Sequence, residues 1–177
     1  MTIKLKLLYS VMAMGAFFFV QTISQAQTTV DEFLAKWENS MQFTMEVVDK
    51  MPEDLLDYKP HESAMSFQEQ IAHLSNAAVA MSQRFLDGPD AQNILEAKPS
   101  NKEELKAHVK LSFEYAMKVF KSVPENELGN TLEVFGGNTA SKRQVMVLID
   151  DHTTHHRGAA ISYIRANGIE PPAFRAM

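Results

Sequence analysis

Two histidines one helical turn apart, His152 and His156, are the residues of this sequence best suited to chemistry. Side chains four positions apart on an α-helix lie on one face, so both imidazoles can bind the same metal ion. His73, on a separate predicted helix, is a third candidate ligand. Three histidines from two helices leave coordination positions open, as in catalytic metal sites. The sequence therefore predicts a divalent metal site at His73, His152 and His156.

The same histidines have a second interpretation, as core residues that pack without a metal. On a helical wheel, His152 and His156 lie at the centre of the apolar stripe that contains Val145, Ile149 and Tyr163. Two buried imidazoles one turn apart each need a polar partner, and one metal ion would satisfy both. Ligands that are all nitrogen suit Zn, Ni, Co or Fe(II), and the sequence does not choose among them.

Other polar side chains have lesser roles in this interpretation. His155 lies beside the stripe and is expected to flank or support the site. Asp150 and Asp151 could orient the imidazoles by accepting their distal N–H groups, or could be solvent-exposed acids. His61 and His108 are expected to be solvated. His155 and Asp151 are candidates for a general acid or base, and no catalytic residue is assigned.

The first 26 residues have the pattern of a secretory signal peptide. Lys4 and Lys6 precede an apolar run from Leu7 to Val20, and small residues follow at Ser24–Ala26. A retained membrane anchor is the alternative, but the run is 14 residues long, whereas a spanning helix needs ~20. We therefore predict cleavage before Gln27, one mature domain over residues 27–177, and no stable membrane anchor.

Composition narrows the classes of function. The chain has no cysteine, which excludes disulfides, thiolate metal ligands and a cysteine nucleophile. An exported protein without disulfides suggests a bacterial periplasm. The formal charge of −5 becomes −7 when Lys4 and Lys6 are removed, and no basic patch is present, so no nucleic-acid partner is expected.

Four amphipathic helices are predicted in the mature chain. Each apolar stripe of helical period follows a capping-box sequence; the four boxes are Thr29–Glu32, Ser66–Glu69, Ser100–Glu103 and Ser141–Gln144. No segment alternates with period two, so no sheet is predicted, although Thr131–Phe135 could form a short extended piece. The predicted fold is all-α, a single four-helix bundle.

Three stretches give the chain a resemblance to the DinB-like superfamily, which includes the bacillithiol- and mycothiol-dependent transferases. These are Met51–Pro60, Ser66–Leu74, and His152–Gly158 together with Ile164–Pro172. The resemblance implies a four-helix bundle, often a homodimer, with a divalent metal held by the histidines at positions 73, 152 and 156. Ala159 stands where many relatives have glutamine, a polar group near the site.

The predicted function is that of an exported metal-binding protein that acts on a small-molecule substrate. A metal-bound water would make it a hydrolase, and a metal-bound thiol would make it a thiol transferase. The thiol cofactors of the resembling transferases are cytosolic, and an exported protein would not meet them at useful concentration. Two alternatives are a non-catalytic, stress-related bundle that binds a metal or ligand, and a structural bundle without metal.

Overall fold

The computed structural model describes residues 29–176. The predicted signal peptide, residues 1–26, lies outside the described residues. The chain divides into two compact units, Met1–Phe33 and Leu34–Met177. Residues 29–33 are the described part of the first unit and form the first turn and a half of a helix. The second unit contains the remaining elements, including every candidate site residue.

Four long helices dominate the described chain. They are α1 (Thr29–Lys50), α2 (Phe67–Phe85), α4 (Lys102–Ser122) and α5 (Lys142–Ala166), with a short helix α3 (Gln92–Leu95) between α2 and α4. The prediction of an all-α helical bundle is confirmed. None of the helices in residues 29–176 combines the length and hydrophobicity that crossing a bilayer requires.

The pairing of residues between helices fixes their directions. Trp37 of α1 contacts Phe113 of α4, while Asp49 at the other end of α1 pairs with Lys106, so these two helices are antiparallel. Hydrogen bonds from Gln68 to Pro99 and from His108 to Asn76 show that α2 and α4 are parallel. The long connection through α3 makes this parallel arrangement possible.

Helix α5 completes the bundle beside α1 and α2. It runs parallel to α1, since Lys36 pairs with Asp150 and Ser40 with Arg157. It runs antiparallel to α2, since Gln70 near the start of α2 bonds Tyr163 near the end of α5. The four helices therefore run up, down, down and up.

Aromatic side chains form the centre of the core. Trp37 is fully buried, stacks on Phe113 with ring centroids 4.6 Å apart, and meets Phe120 edge-on at 5.2 Å. Its indole N–H donates to the Phe113 carbonyl at 3.0 Å, so its one polar group is satisfied. Truncation of such a residue to alanine typically costs about 3–5 kcal/mol.

Two of the predicted capping boxes are confirmed and one is displaced. Ser66 caps α2 with Glu69, and Ser141 caps α5 with Gln144, each by reciprocal side-chain and backbone hydrogen bonds. At α4 the N-cap is Asn101, whose side chain accepts from the Glu104 N–H. The prediction of Ser100 as the cap was wrong by one residue. The Thr29 side chain lies outside the described part of the chain.

A short β-hairpin corrects the prediction of no sheet. Strands β1 (Thr131–Glu133) and β2 (Thr139–Ser141) pair antiparallel, with Thr131 opposite Ser141. The turn between them places Gly136 and Gly137 at positive φ, where a side chain would be strained. The first strand lies within Thr131–Phe135, the segment for which a short extended piece was suggested. Its pairing with a second strand was not predicted, because three-residue strands are too short to show an alternating pattern.

Candidate metal centre

The three candidate histidines lie together between α2 and α5. The ring centroid of His73 lies 5.1 Å from that of His152 and 4.5 Å from that of His156, and the His152 and His156 centroids are 4.5 Å apart. One ring nitrogen from each residue lies within 4.8 Å of the other two, and all three side chains are half-buried. This arrangement could hold one metal ion.

Helix geometry and helix direction together produce the cluster. His152 and His156 share one face of α5 because they are one turn apart. The antiparallel packing of α2 on α5 places His73 opposite that face. Each helix is fixed at its start by a confirmed capping box, so the ligands project from regular, well-anchored elements.

The histidine pair lies at the edge of the buried stripe of α5, not at its centre as predicted. The middle of the buried face contains Ile149, Thr153, Arg157 and Ala160. The prediction took the apolar residues alone to define the stripe, whereas here Thr153 and Arg157 are buried as well. At the edge of the stripe the imidazoles are only half-buried.

The local environment keeps two of the imidazoles neutral. Burial lowers the pKa of His156 to about 4, with smaller contributions from the neighbouring histidines at positions 152, 73 and 155. Burial also lowers the pKa of His152, assisted by His73 and His155. At neutral pH both rings therefore have a lone pair available, which is the form of histidine that binds metals.

Gln70 orients His156, and sequence analysis missed this role. Its side-chain oxygen lies 2.6 Å from His156 Nδ1, so the ring donates through Nδ1 and Nε2 is the nitrogen left to coordinate. The Gln70 amide in turn donates to the Tyr163 hydroxyl at 3.1 Å. Gln70 lies three residues before His73 on α2, and this spacing on one helix face was the available signal.

His152 provides a further observation that fits a bound cation. Its Nδ1 is buried and has no hydrogen-bond partner within residues 29–176. An unpaired buried nitrogen is costly, and a metal ion or a bridging water is the usual remedy in native proteins. The donor set, the neutral rings and this unpaired nitrogen all fit a divalent metal.

The two acidic residues before the histidine pair, Asp150 and Asp151, do not orient its imidazoles. Asp150 is 3% exposed and forms an ion pair with Lys36 of α1, on a different side of α5 from the cluster. Asp151 is exposed. The first interpretation, that these carboxylates orient the imidazoles, is therefore wrong for Asp150, and so is the alternative that it is solvent-exposed.

The other three histidines, His61, His108 and His155, lie outside the cluster, and one of them is buried where the sequence predicted exposure. His155 is exposed, and its ring lies 4.9 Å from that of His156, beside the cluster but outside the group that could hold a metal. His61 is exposed, as predicted. His108 is 4% exposed and bonds Asn76, so the prediction of a solvated His108 was wrong. Burial lowers its pKa.

A cavity of about 520 Å³ adjoins the cluster at His73. One wall is the face of α2 that contains Glu69, His73 and Asn76, and the other is the segment from Lys59 to Met65. Lys59, on the second wall, forms an ion pair with Glu69, on the first, with 3.0 Å between the ammonium nitrogen and a carboxylate oxygen. The space is a depression largely open to solvent, so a small molecule could reach His73 from outside the bundle.

The sequence model of the DinB family matches residues 24–177. The chain belongs to the DinB family. The uncharacterized protein YjoA of Bacillus subtilis is 23% identical over 127 residues, which cover 71% of this chain and 82% of YjoA. The resemblance inferred from the sequence motifs is thereby confirmed at the level of the family.

Solved structures of DinB-like proteins share the fold. The crystal structure of YjoA superposes with a TM-score of 0.66 at 22% identity, covering 81% of this chain and 97% of YjoA. A DinB-like protein from Bacillus cereus gives a TM-score of 0.69 at 14% identity, covering 82% and 97% of the two chains. Identities this low establish the DinB-like fold alone.

Proposed function

We propose that this DinB family protein binds one divalent metal ion through His73, His152 and His156 and uses it to hydrolyse a small molecule. The observation that supports this most strongly is the convergence of three ring nitrogens within 4.8 Å of one another. Three protein ligands leave at least one coordination position for another molecule, which distinguishes such a site from a closed structural one.

The chain's own residues supply binding and orientation. Gln70 fixes the tautomer of His156, and the cavity beside His73 offers the space in which a substrate could approach. Zn, Ni, Co and Fe(II) all suit a three-imidazole set. When bound, such a metal would act as a Lewis acid and would lower the pKa of a bound water towards about 7.

Export to the periplasm, which residues 1–26 predict, favours hydrolysis over thiol transfer. The thiol cofactors of the transferases that this chain resembles are cytosolic, so an exported protein would not encounter them. Thiol transfer remains the alternative reaction if the chain stays in the cytosol. A homodimer, which the resemblance also implies, is part of the proposal.

One observation favours a non-catalytic, metal-binding role as the second candidate. Glu69, the cavity carboxylate nearest in sequence to His73, accepts from the Ser66 backbone N–H at 2.6 Å and pairs with Lys59. These contacts lower its pKa and hold it as a carboxylate with two partners. Glu69 is therefore poorly placed to carry protons during a reaction.

Metal content is the test of the proposal. The protein, expressed without a histidine tag, should contain about one transition metal ion per chain by mass spectrometry, since it offers one three-histidine site. His152→Ala should lose that metal because two imidazoles bind weakly. His155→Ala is the matched control, since this neighbouring histidine is exposed and outside the cluster, and it should retain the metal.

Two results would decide against parts of this account. A wild-type protein that holds no metal and takes up neither zinc nor nickel would overturn the metal site. If the protein contains one metal ion per chain but hydrolyses no ester, amide or phosphate substrate, the metal site stands. The non-catalytic role then replaces hydrolysis.

A further inference from the structure

The side chain of Asn76, which lines the cavity, is held in one orientation by a hydrogen bond to the neighbouring helix α4. Asn76 lies three residues after His73 on α2, on the same side of the helix, and lines the cavity. Its side-chain oxygen lies 3.0 Å from Nε2 of His108 on α4. An amide oxygen can only accept, so His108 donates through Nε2 and the Asn76 oxygen is directed into the bundle.

The partner that holds Asn76 is itself well fixed. His108 is 4% exposed, and it lies on the buried face of α4 between Leu105 and Ser112. A buried imidazole needs a hydrogen-bond partner, and Asn76 supplies one. The hydrogen bond therefore links the helix that presents His73 to a residue that cannot move without disturbing the core.

The other end of the Asn76 amide remains available. Within residues 29–176 no group accepts a hydrogen bond from its NH2, and that nitrogen is not among the buried atoms without partners. The NH2 group is thus the polar end that Asn76 offers to the cavity, one turn from His73. The Lys59 ammonium, which pairs with Glu69, also lines this cavity.

From this geometry we infer that Asn76 is a specificity-determining residue: its NH2 group orients an acceptor oxygen, a carbonyl or carboxylate, of a molecule bound at the three-histidine site. The inference rests on the proposed metal site and adds the chemical class of its ligand. His108 is a positioning residue, since it acts through Asn76 and does not touch the ligand.

The test uses two simple ligands of a cobalt-loaded protein. Visible absorption of bound Co²⁺ reports loading and shifts when a ligand enters the coordination sphere. Acetate carries an acceptor oxygen for Asn76, whereas imidazole carries none. Asn76→Asp keeps the oxygen that accepts from His108 but removes the donor, so acetate should bind about tenfold more weakly, the effect of roughly one hydrogen bond. Imidazole offers no acceptor once it is bound to cobalt, only an N–H that the new carboxylate can accept, so it should bind at least as well as to the wild type.

A charge control separates the loss of a donor from simple repulsion. Ser63→Asp places the same negative charge at another lining position of the cavity, on the segment from Lys59 to Met65, and leaves the Asn76 side chain unchanged. Its effect on acetate should be no more than about twofold, the size expected of a screened charge. His108→Leu, which frees the Asn76 amide to rotate, should also weaken acetate and leave imidazole unchanged.

The outcomes distinguish this inference from the proposed function. If the wild-type protein gives no cobalt spectrum, the metal site fails and the inference fails with it. If cobalt binds but acetate does not, or if Asn76→Asp and Ser63→Asp weaken acetate equally, the metal site stands and the inference is overturned. Equal weakening of acetate and imidazole in Asn76→Asp would also overturn it, because a purely structural role would produce that pattern.

Discussion

At the scale of single residues, the candidate site depends on which nitrogen of each histidine is free. The Gln70 side-chain oxygen accepts a hydrogen bond from Nδ1–H of His156, which leaves Nε2 to coordinate. The Tyr163 hydroxyl in turn accepts a hydrogen bond from the Gln70 NH2 group, which prevents the Gln70 amide from flipping. This chain of two hydrogen bonds orients one ligand before any metal arrives.

Removal of Gln70 should weaken metal binding without removing a ligand. Gln70→Ala should lower the affinity for zinc about 10–100-fold, as expected when a partner of a metal-bound histidine is lost. Competition against a fluorescent zinc chelator measures the change. Gln68→Ala is the control, since Gln68 lies on the same helix but bonds the Pro99 carbonyl. Equal affinities in the two variants would show that Gln70 has no such role.

Sequence reasoning found the three histidines but not their partners. One helical turn relates His152 to His156, and such local spacing can be read directly from a sequence. The bond between Gln70 and His156 joins different helices and depends on how they pack. The same limit explains His108, which was expected to be solvated and is buried against Asn76.

At the scale of elements, the helix starts show how far local sequence determines structure. Ser66 and Ser141 form complete capping boxes with the glutamate and glutamine three residues later. At α4 the serine of the predicted box, Ser100, is followed directly by Asn101, and the helix begins after Asn101. Ser100 bonds the Glu104 carboxylate from outside the helix.

The displaced cap leads to a prediction about stability. Asn101→Ala should lower the free energy of unfolding by about 1 kcal/mol, the usual cost of losing an N-cap. Ser100→Ala should cost only about 0.5 kcal/mol or less, since the bond it removes is solvent-exposed. Equilibrium unfolding in urea measures both. A larger effect at Ser100 than at Asn101 would contradict the assignment of the cap.

The helices were predictable because their apolar residues repeat with the helical period, whereas two other features were not. The sequence suggested an extended piece at Thr131–Phe135 but not its pairing with a second strand, because three-residue strands are too short for an alternating pattern. The buried face of α5 contains Thr153 and Arg157, which a hydropathy pattern assigns to solvent. The Arg157 guanidinium is buried because Ser40 and Thr44 of α1 accept its hydrogen bonds.

At the scale of the whole molecule, the order of helix directions creates the site. Because α2 and α5 are antiparallel neighbours, one turn of α5 meets the middle of α2, and His73 faces the histidine pair. The fold and the family were predictable from motifs spread along the chain. Export, dimerisation and the identity of the metal remain predictions, since each concerns a segment, a partner or an ion outside the described chain.

The most direct test of the metal site is a crystal structure of the zinc-loaded protein, with diffraction recorded at the zinc absorption edge. We expect one anomalous peak per chain, bounded by His73, His152 and Nε2 of His156, with at least one ligand that is not a protein side chain. A peak at any other position, a fourth protein side chain closing the coordination sphere, or no peak would contradict an open metal site at these three histidines.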